Sequence, residues 1–272
     1  NRYSVMHPML NIAVRAARNG GKVIIRSFEQ LDKVDVNSKG SNDFVTSADI
    51  AAEEAIIETL RKSYPNHTII GEESGVLTGS EDDFQWIIDP LNGTSNFIKG
   101  IPQFAVSIAL KVKGKLDQAV IFDPIRGELF TASRGKGAQL NNMRIRVKSH
   151  KDLSATILAT GFPYKQKQHS KAYMAMFTSL FEKTSDMRST GSPALDLAYV
   201  AAGRIDGFFQ IGLKPWESAA GELLIIEAGG LVTDFTGGHN HTQSGHTVAS
   251  STRLLKEILK NIRPNLGEAL SN

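Results

Sequence analysis

The chain has 272 residues, 41% of them hydrophobic, a formal net charge of +3 at pH 7 and no cysteine. That apolar content suffices for a buried core and excludes a disordered chain, while the missing thiols exclude disulfides and thiolate-bound zinc. The charge is mild and spread out, which gives no case for nucleic acid, and no apolar run reaches the ~18 residues of a membrane span. One large domain or two closely fused ones, cytoplasmic and away from membranes, is the expectation. Met6 reads as the natural start, with residues 1–5 as an extension.

A helix is expected from Pro8 to about Phe28, because proline is tolerated in a first turn whose amides lack helical partners. Asp32 to Asn42 is polar and reads as a loop or ragged hairpin. Thr46-Ser47-Ala48-Asp49 opens a second helix with Ile50, Ile56, Ile57 and Leu60 on its inner face. His67 to Ile70 is a short strand that delivers Gly71-Glu72-Glu73-Ser74. Trp86-Ile87-Ile88 is a buried strand with Asp89 at its end, and Pro90 closes it because proline has no donor for the ladder. Three antiparallel strands follow, at Phe104 to Val112, Leu116 to Phe122 and Glu128 to Ala132, with Lys113-Gly114-Lys115 as a hairpin. Lys111, Lys113 and Lys115 read as a solvated sheet edge.

A charged break at Lys148 to Asp152 separates residues 6–150 from 151–266, two halves of one compact unit. Beyond it, strands are expected at Ala155 to Ala159, Asp206 to Gln210, Leu231 to Asp234 and Thr247 to Ala249. Helices are expected at Gln168 to Glu182, Pro193 to Ala202, Glu217 to Ala228 and Thr252 to Ile262. Met174 to Phe181 reads as helix core. The class is mixed α/β with two sheets. His239, His241 and His246 match no metal-ligand spacing and read as loop residues.

The chemistry concentrates in Asp89-Pro90-Leu91-Asn92-Gly93-Thr94-Ser95. A carboxylate, a turn with open amides and two hydroxyls point to metal-assisted phosphate chemistry: Mg²⁺ takes oxygen ligands, and turn amides hold anions. Glu72 and Glu217 are further acids beside strand ends or helix starts. Each acid has a plainer reading as well. Asp49 stands at capping-box spacing from Thr46, Glu72-Glu73 suits a solvated turn, and Glu217 complements a helix dipole.

Several segments in order resemble the inositol monophosphatase family, closest to its bacterial SuhB-type branch. They are Trp86 to Phe97 (WIIDPLNGTSNF), Trp216 to Gly230 (WESAAGELLIIEAGG), Gly71 to Ser74, Asp43 to Asp49 and Thr190 to Asp196. The resemblance implies a layered αβαβα sandwich, usually a homodimer, that hydrolyses small phosphate monoesters such as inositol 1-phosphate with Mg²⁺. It implies that Glu72, Asp89 and the Leu91 carbonyl hold a first ion. Asp89, Asn92 and Glu217 would hold a second, and Glu72 is also counted with the catalytic residues. Thr94 and Asp49 would activate water, and the Gly93 and Thr94 amides would hold phosphate. Gly191, Ser192, Pro193 and Gln210 would face the alcohol part, with Glu72, Leu91, Asn92 and Glu217 also counted among the residues around the substrate. Members of that branch also bind the transcription machinery in ribosomal RNA antitermination, which makes RNA polymerase or antitermination factors candidate partners.

The chain departs from the family pattern in one cleft. It has Asn92 and Glu217 where the family has aspartates, Gln210 where the family usually has glutamate, and Pro193 where the family has a small residue. A neutral amide beside a divalent ion forfeits several kcal/mol of Coulomb energy even at an effective dielectric of ~20. The expectation is an intact first metal site and a weakened second one. Two readings follow: a phosphatase that needs high Mg²⁺, or a scaffold in which catalysis has lapsed.

Overall fold

The structure is a computed structural model and describes residues 6–271; the expected extension before Met6 lies outside them. In chain order the first half runs α1 (Pro8–Phe28), β1 (Val36–Gly40), β2 (Asp43–Thr46), α2 (Ser47–Ser63), β3 (His67–Gly71), β4 (Gly75–Leu77) and β5 (Glu81–Asn92). Then come α3 (Thr94–Ile98), β6 (Ala105–Val112), β7 (Lys115–Asp123), β8 (Glu128–Ser133), β9 (Gly137–Leu140) and β10 (Met143–Arg144). The second half runs β11 (Ile157–Gly161), α4 (Ser170–Phe181), β12 (Asp186–Arg188), α5 (Pro193–Ala201), β13 (Gly207–Gln210) and α6 (Pro215–Glu227). It closes with β14 (Leu231–Thr233), α7 (His241–Ser244), β15 (Thr247–Ser250) and α8 (Thr252–Ile262).

Three sheets form rather than the expected two: beside a β1-β2 hairpin, the larger main sheet has the order β10-β9-β8-β7-β6-β5-β3-β4 and the smaller one β12-β11-β13-β15-β14. Helices α1 and α2 cover one face of the larger sheet. Helices α5 and α6 lie between the sheets, and α4 and α8 pack together beyond the smaller sheet, with α8 on β15. This is a mixed α/β, αβαβα arrangement, and the layers follow from burial: each main sheet is apolar on both faces and needs helices on both. The middle layer carries the most continuous core. Ile87, Ala109 and Phe130 from the larger sheet and Phe208 and Ala249 from the smaller one meet Leu195, Leu197, Leu223 and Leu224.

Four further expectations need correction. Strand β5 does not stop at Asp89. It continues to Asn92, with Asp89 opposite Ser107 but Asn92 opposite Ala105, so one extra residue is accommodated as a bulge at Pro90 and Leu91. A bulge is where an interior strand tolerates proline, since the ladder is already interrupted there. Ile50 faces outward, 45% exposed, while Ile56 and Leu60 are buried; the buried face of α2 runs through Asp49, Glu53, Ile56 and Leu60, and Ile50 falls on the other face with Glu54. The three lysines are not on a sheet edge, because β6 and β7 are interior strands. They mark the far end of a hairpin whose Lys113 and Gly114 both take positive φ, as a tight turn requires. On α4, Tyr173, Met176 and Leu180 are buried, but Met174 and Phe181 face out.

Candidate active site

The acidic residues named from the sequence converge where β3, β5 and the start of α6 meet. Glu72, Asp89 and Glu217 line one cleft of about 290 Å³, and Leu91, Asn92, Gly93 and Thr94 form its floor. Gly191 and Pro193 close one side; Asp43, Tyr164 and Lys165 close another. The Gly93 backbone has φ 110° and packs against Gln103 and Phe104, where a Cβ would meet the Gln103 carbonyl oxygen at 2.9 Å. Only glycine fits that combination. The turn leaves the amides of Gly93, Thr94 and Ser95 with no backbone acceptor among the described residues.

Asp49 is a helix cap that is fully buried behind the cleft and reaches it only through Thr94. Its Oδ2 accepts from the Thr46 amide at 2.8 Å, closing a capping box at the start of α2. Its Oδ1 faces the Thr94 hydroxyl at 3.0 Å, and that hydroxyl also reaches the Leu91 carbonyl at 3.0 Å. Burial raises the Asp49 carboxyl pKa, opposed by the hydrogen bonds from Thr46 and Thr94. Glu217 likewise serves its helix, accepting from the Lys214 amide at 2.7 Å.

The electrostatics are strained in one direction. Burial raises Glu72 to about 7; Lys39 opposes the rise and Glu217 adds to it. Burial, helped by Glu72, raises Asp89 well above the ordinary range, and Glu217 is raised by burial too. Lys39 of β1 partly offsets this charge, with Nζ 3.7 Å from Glu72 Oε1 and 2.5 Å from Glu73 Oε1. Carboxyls crowded in a poorly solvated cleft hold protons more tightly than usual unless a cation replaces them.

Glu72, Asp89 and Leu91 line the same cleft, as the expected first-ion set requires. Asn92 is turned differently from the expected second-ion set. The orientation of Asn92 is fixed by the Ala194 amide, which can only donate, and which gives its proton to Asn92 Oδ1 at 2.9 Å. The Ser192 hydroxyl donates to the same oxygen at 2.8 Å. The Asn92 Nδ2 group is thereby turned to Asp89 and donates to its Oδ2 at 2.8 Å. Asn92 presents a nitrogen donor, not an oxygen, to the place where a second cation would sit. Among the described residues no set of three or more His, Asp or Glu side chains forms a finished metal cage, in keeping with Asp89 and Glu217 each holding a local hydrogen bond.

Two residues expected to face the alcohol part of a substrate are placed otherwise. Ser192 is fully buried, caps α5 and does not line the cleft. Gln210 lies in an adjoining pocket that shares Glu217, Tyr164 and Lys165 with the cleft, and its buried Oε1 has no partner. Sequence reasoning missed Lys39, Glu53, Asn96 and Lys165. Asn96 Nδ2 donates to the carbonyls of Gln103 and Thr190, each at 2.8 Å, tying the β5 turn to the segment before α5. Lys165 pairs with Asp43 at 2.7 Å. Nothing in the local pattern marks these residues; each acts on a partner far away in sequence. The histidines form no metal group either: His241 is buried 3.1 Å from Glu222, and His246 stacks on Phe235.

Comparison with known proteins agrees with this fold. The profile of the Inositol monophosphatase family matches residues 5–267. The "Nus factor SuhB" of Escherichia coli (strain K12) is 60% identical over 265 residues, which cover 97% of this chain and 99% of that protein. Among solved structures, the extragenic suppressor protein suhB from Bartonella henselae superposes with a TM-score of 0.92 at 38% identity, covering 94% of this chain and 99% of that one. An inositol monophosphatase from Anabaena (Nostoc) sp. PCC 7120 gives a TM-score of 0.83 at 34% identity, covering 94% and 95%. The chain belongs to the inositol monophosphatase family. No helix among the described residues is long and apolar enough to cross a membrane.

Proposed function

We propose that this chain is a Mg²⁺-dependent phosphatase of small phosphate monoesters, with inositol 1-phosphate as the first substrate to try, that works with one well-held cation and a weak second one. The observation that carries this is the trio of buried or half-buried acids Glu72, Asp89 and Glu217, all with raised pKa, beside a turn of open amides. When bound, Mg²⁺ supplies charge that stabilises a phosphoryl group under attack. Glu72, Asp89 and the Leu91 carbonyl would hold it. The amides of Gly93 and Thr94 orient the phosphate oxygens. Thr94 positions the attacking water, and Asp49, which faces the Thr94 hydroxyl, takes up its proton. Tyr164, Lys165 and Pro193 border the space left for the alcohol. Family likeness supports reading the chain as a cytoplasmic homodimer, and the absence of cysteine is compatible with a reducing compartment.

A second reading has its own support. The chain is 60% identical to a protein named as a Nus factor, and Asn92 is locked in a role that removes a cation ligand. A scaffold that binds RNA polymerase or antitermination factors, with catalysis lapsed, fits both facts. The test is hydrolysis of inositol 1-phosphate across a Mg²⁺ titration, beside association with RNA polymerase. Turnover that saturates only at high Mg²⁺ and rises in Asn92→Asp supports the phosphatase reading. No turnover in either protein at any Mg²⁺ concentration, with association present, leaves the scaffold.

A further inference from the structure

Helix α2 aims a second carboxylate at the turn that follows β3, one turn beyond Asp49. Glu53 stands at i+4 from Asp49, so both side chains leave the same face of the helix. Glu53 is 2% exposed, a rare state for a glutamate unless both oxygens are used. Both are: Oε1 accepts from the Ser74 amide at 2.7 Å and Oε2 from the Glu73 amide at 3.0 Å. These are consecutive amides of the turn that follows Glu72. The residue before Glu72 leaves no room for a side chain, because a Cβ on Gly71 would lie 2.6 Å from Glu53 Oε1 and 2.5 Å from Ser74 Oγ. The carboxylate thus seats directly against the turn. The same turn is held on its other side by the Glu72 amide, which donates to the Ile88 carbonyl at 3.1 Å.

We infer that Glu53 is a positioning residue for cation binding: it fixes the Gly71–Ser74 turn so that the Glu72 carboxyl points at Asp89. The inference rests on the metal reading of Glu72 and Asp89 proposed above. Its physical basis is simple. Glu72 sits on an irregular turn after β3, and Lys39 pairs with both Glu72 and Glu73. Two charge-assisted bonds to backbone amides, stronger than neutral ones, fix the backbone of that turn. A glutamine at position 53 can accept only one of the two amides, because its nitrogen is a donor. Helix α2 would then unite two tasks: Asp49 governs the Thr94 hydroxyl, and Glu53 governs the Glu72 turn.

The test is calorimetric titration of the full chain with Mg²⁺ and, as a tighter-binding probe, Mn²⁺. The proteins are the unaltered chain, Glu72→Gln, Glu53→Gln, Glu53→Ala and Gly71→Ala, each checked for folding by circular dichroism and thermal melting without metal. Groups that orient metal ligands typically change affinity on the order of 10- to 100-fold when removed, and a weakening of that size is expected for Glu53→Ala and Gly71→Ala. Glu53→Gln should fall between Glu53→Ala and the unaltered chain. In turnover assays the Mg²⁺ concentration for half-maximal rate should rise while the rate at saturating Mg²⁺ changes less. If Glu53→Ala does not fold, Glu53→Gln and Gly71→Ala decide the matter. Folded variants that bind cation as tightly as the unaltered chain, while Glu72→Gln binds poorly, overturn the role of Glu53 and spare the metal reading. An unaltered chain that binds no cation, or a Glu72→Gln chain that binds normally, overturns both.

Discussion

Replacing Asn92 with aspartate would change the charge of the cleft without changing its shape. The carboxylate would keep one oxygen on the Ser192 hydroxyl and the Ala194 amide. Its other oxygen would face Asp89 Oδ2 across the 2.8 Å now spanned by a donated hydrogen bond. Two full charges at that distance repel by about 6 kcal/mol at an effective dielectric of ~20. Proton uptake limits the cost, because holding one carboxyl neutral at pH 7 against an ordinary Asp pKa takes about 4 kcal/mol. Without metal, Asn92→Asp should therefore lose up to about 4 kcal/mol of stability at pH 7, and less at pH 5 where the shared proton comes readily. Added Mg²⁺ should restore the loss, and titration calorimetry should find a second cation per chain. Urea denaturation at both pH values, with and without Mg²⁺, measures all of this. Equal stability of the two proteins at pH 7 without Mg²⁺, or a loss that Mg²⁺ leaves untouched, would refute the placement of Asn92 as the donor to Asp89.

Thr94→Val removes the hydroxyl that faces Asp49 and the Leu91 carbonyl; turnover should fall by roughly 10²- to 10⁴-fold, with cation affinity retained in calorimetry. Ser192→Ala deletes the α5 cap and a donor to Asn92, so chemical denaturation should show a loss of about 1–2 kcal/mol. The pH dependence follows from Glu72, whose pKa is raised from 4.5 to about 7 in the folded chain. The folded state then holds a proton that the unfolded state has released, so metal-free stability should decline as pH rises from 4.5 to about 7 and level off beyond. In melting curves Glu72→Gln should flatten that decline, and Mg²⁺ should stabilise the unaltered chain more at pH 8 than at pH 5. A metal-free melting temperature that climbs across this window in the unaltered chain and equally in Glu72→Gln would contradict the assignment.

The order of elements was readable from sequence because it rests on local signals. Pro8 opens α1, Thr46 and Asp49 cap α2, and Lys113-Gly114 turns β6 into β7, each within a few residues. The short strands β4, β9, β10 and β12 were not readable, since they are mostly unburied and have few of the buried apolar residues that marked the equally short β13, β14 and β15. The outward turn of Ile50 was missed because it was counted with Ile56 and Leu60, although the buried stripe runs through Asp49, Glu53, Ile56 and Leu60 and leaves Ile50 on the outer face with Glu54. In the site, the residues Asp89 to Thr94 were legible as a unit. The task of Asn92 was not, because it is set by an amide at Ala194, 102 positions further on. Glu53 was hidden by its ordinary surroundings, one glutamate among several on α2, distinguished only by what it touches.

The bulge in β5 decides which side chains can meet at all. Along a regular strand, residues three apart point to opposite sides of the sheet, so Asp89 and Asn92 would be strangers, one toward the site and one away. The extra residue at Pro90 and Leu91 shifts the count by one and brings both to the same side, close enough to share a hydrogen bond. The parity of a single strand, and not the identity of any acid, thus sets whether β5 offers the cleft one side chain or two. A deletion of one residue there would restore a regular ladder with Asp89 and Asn92 two apart and still on one side, whereas straightening the strand at its present length would part them.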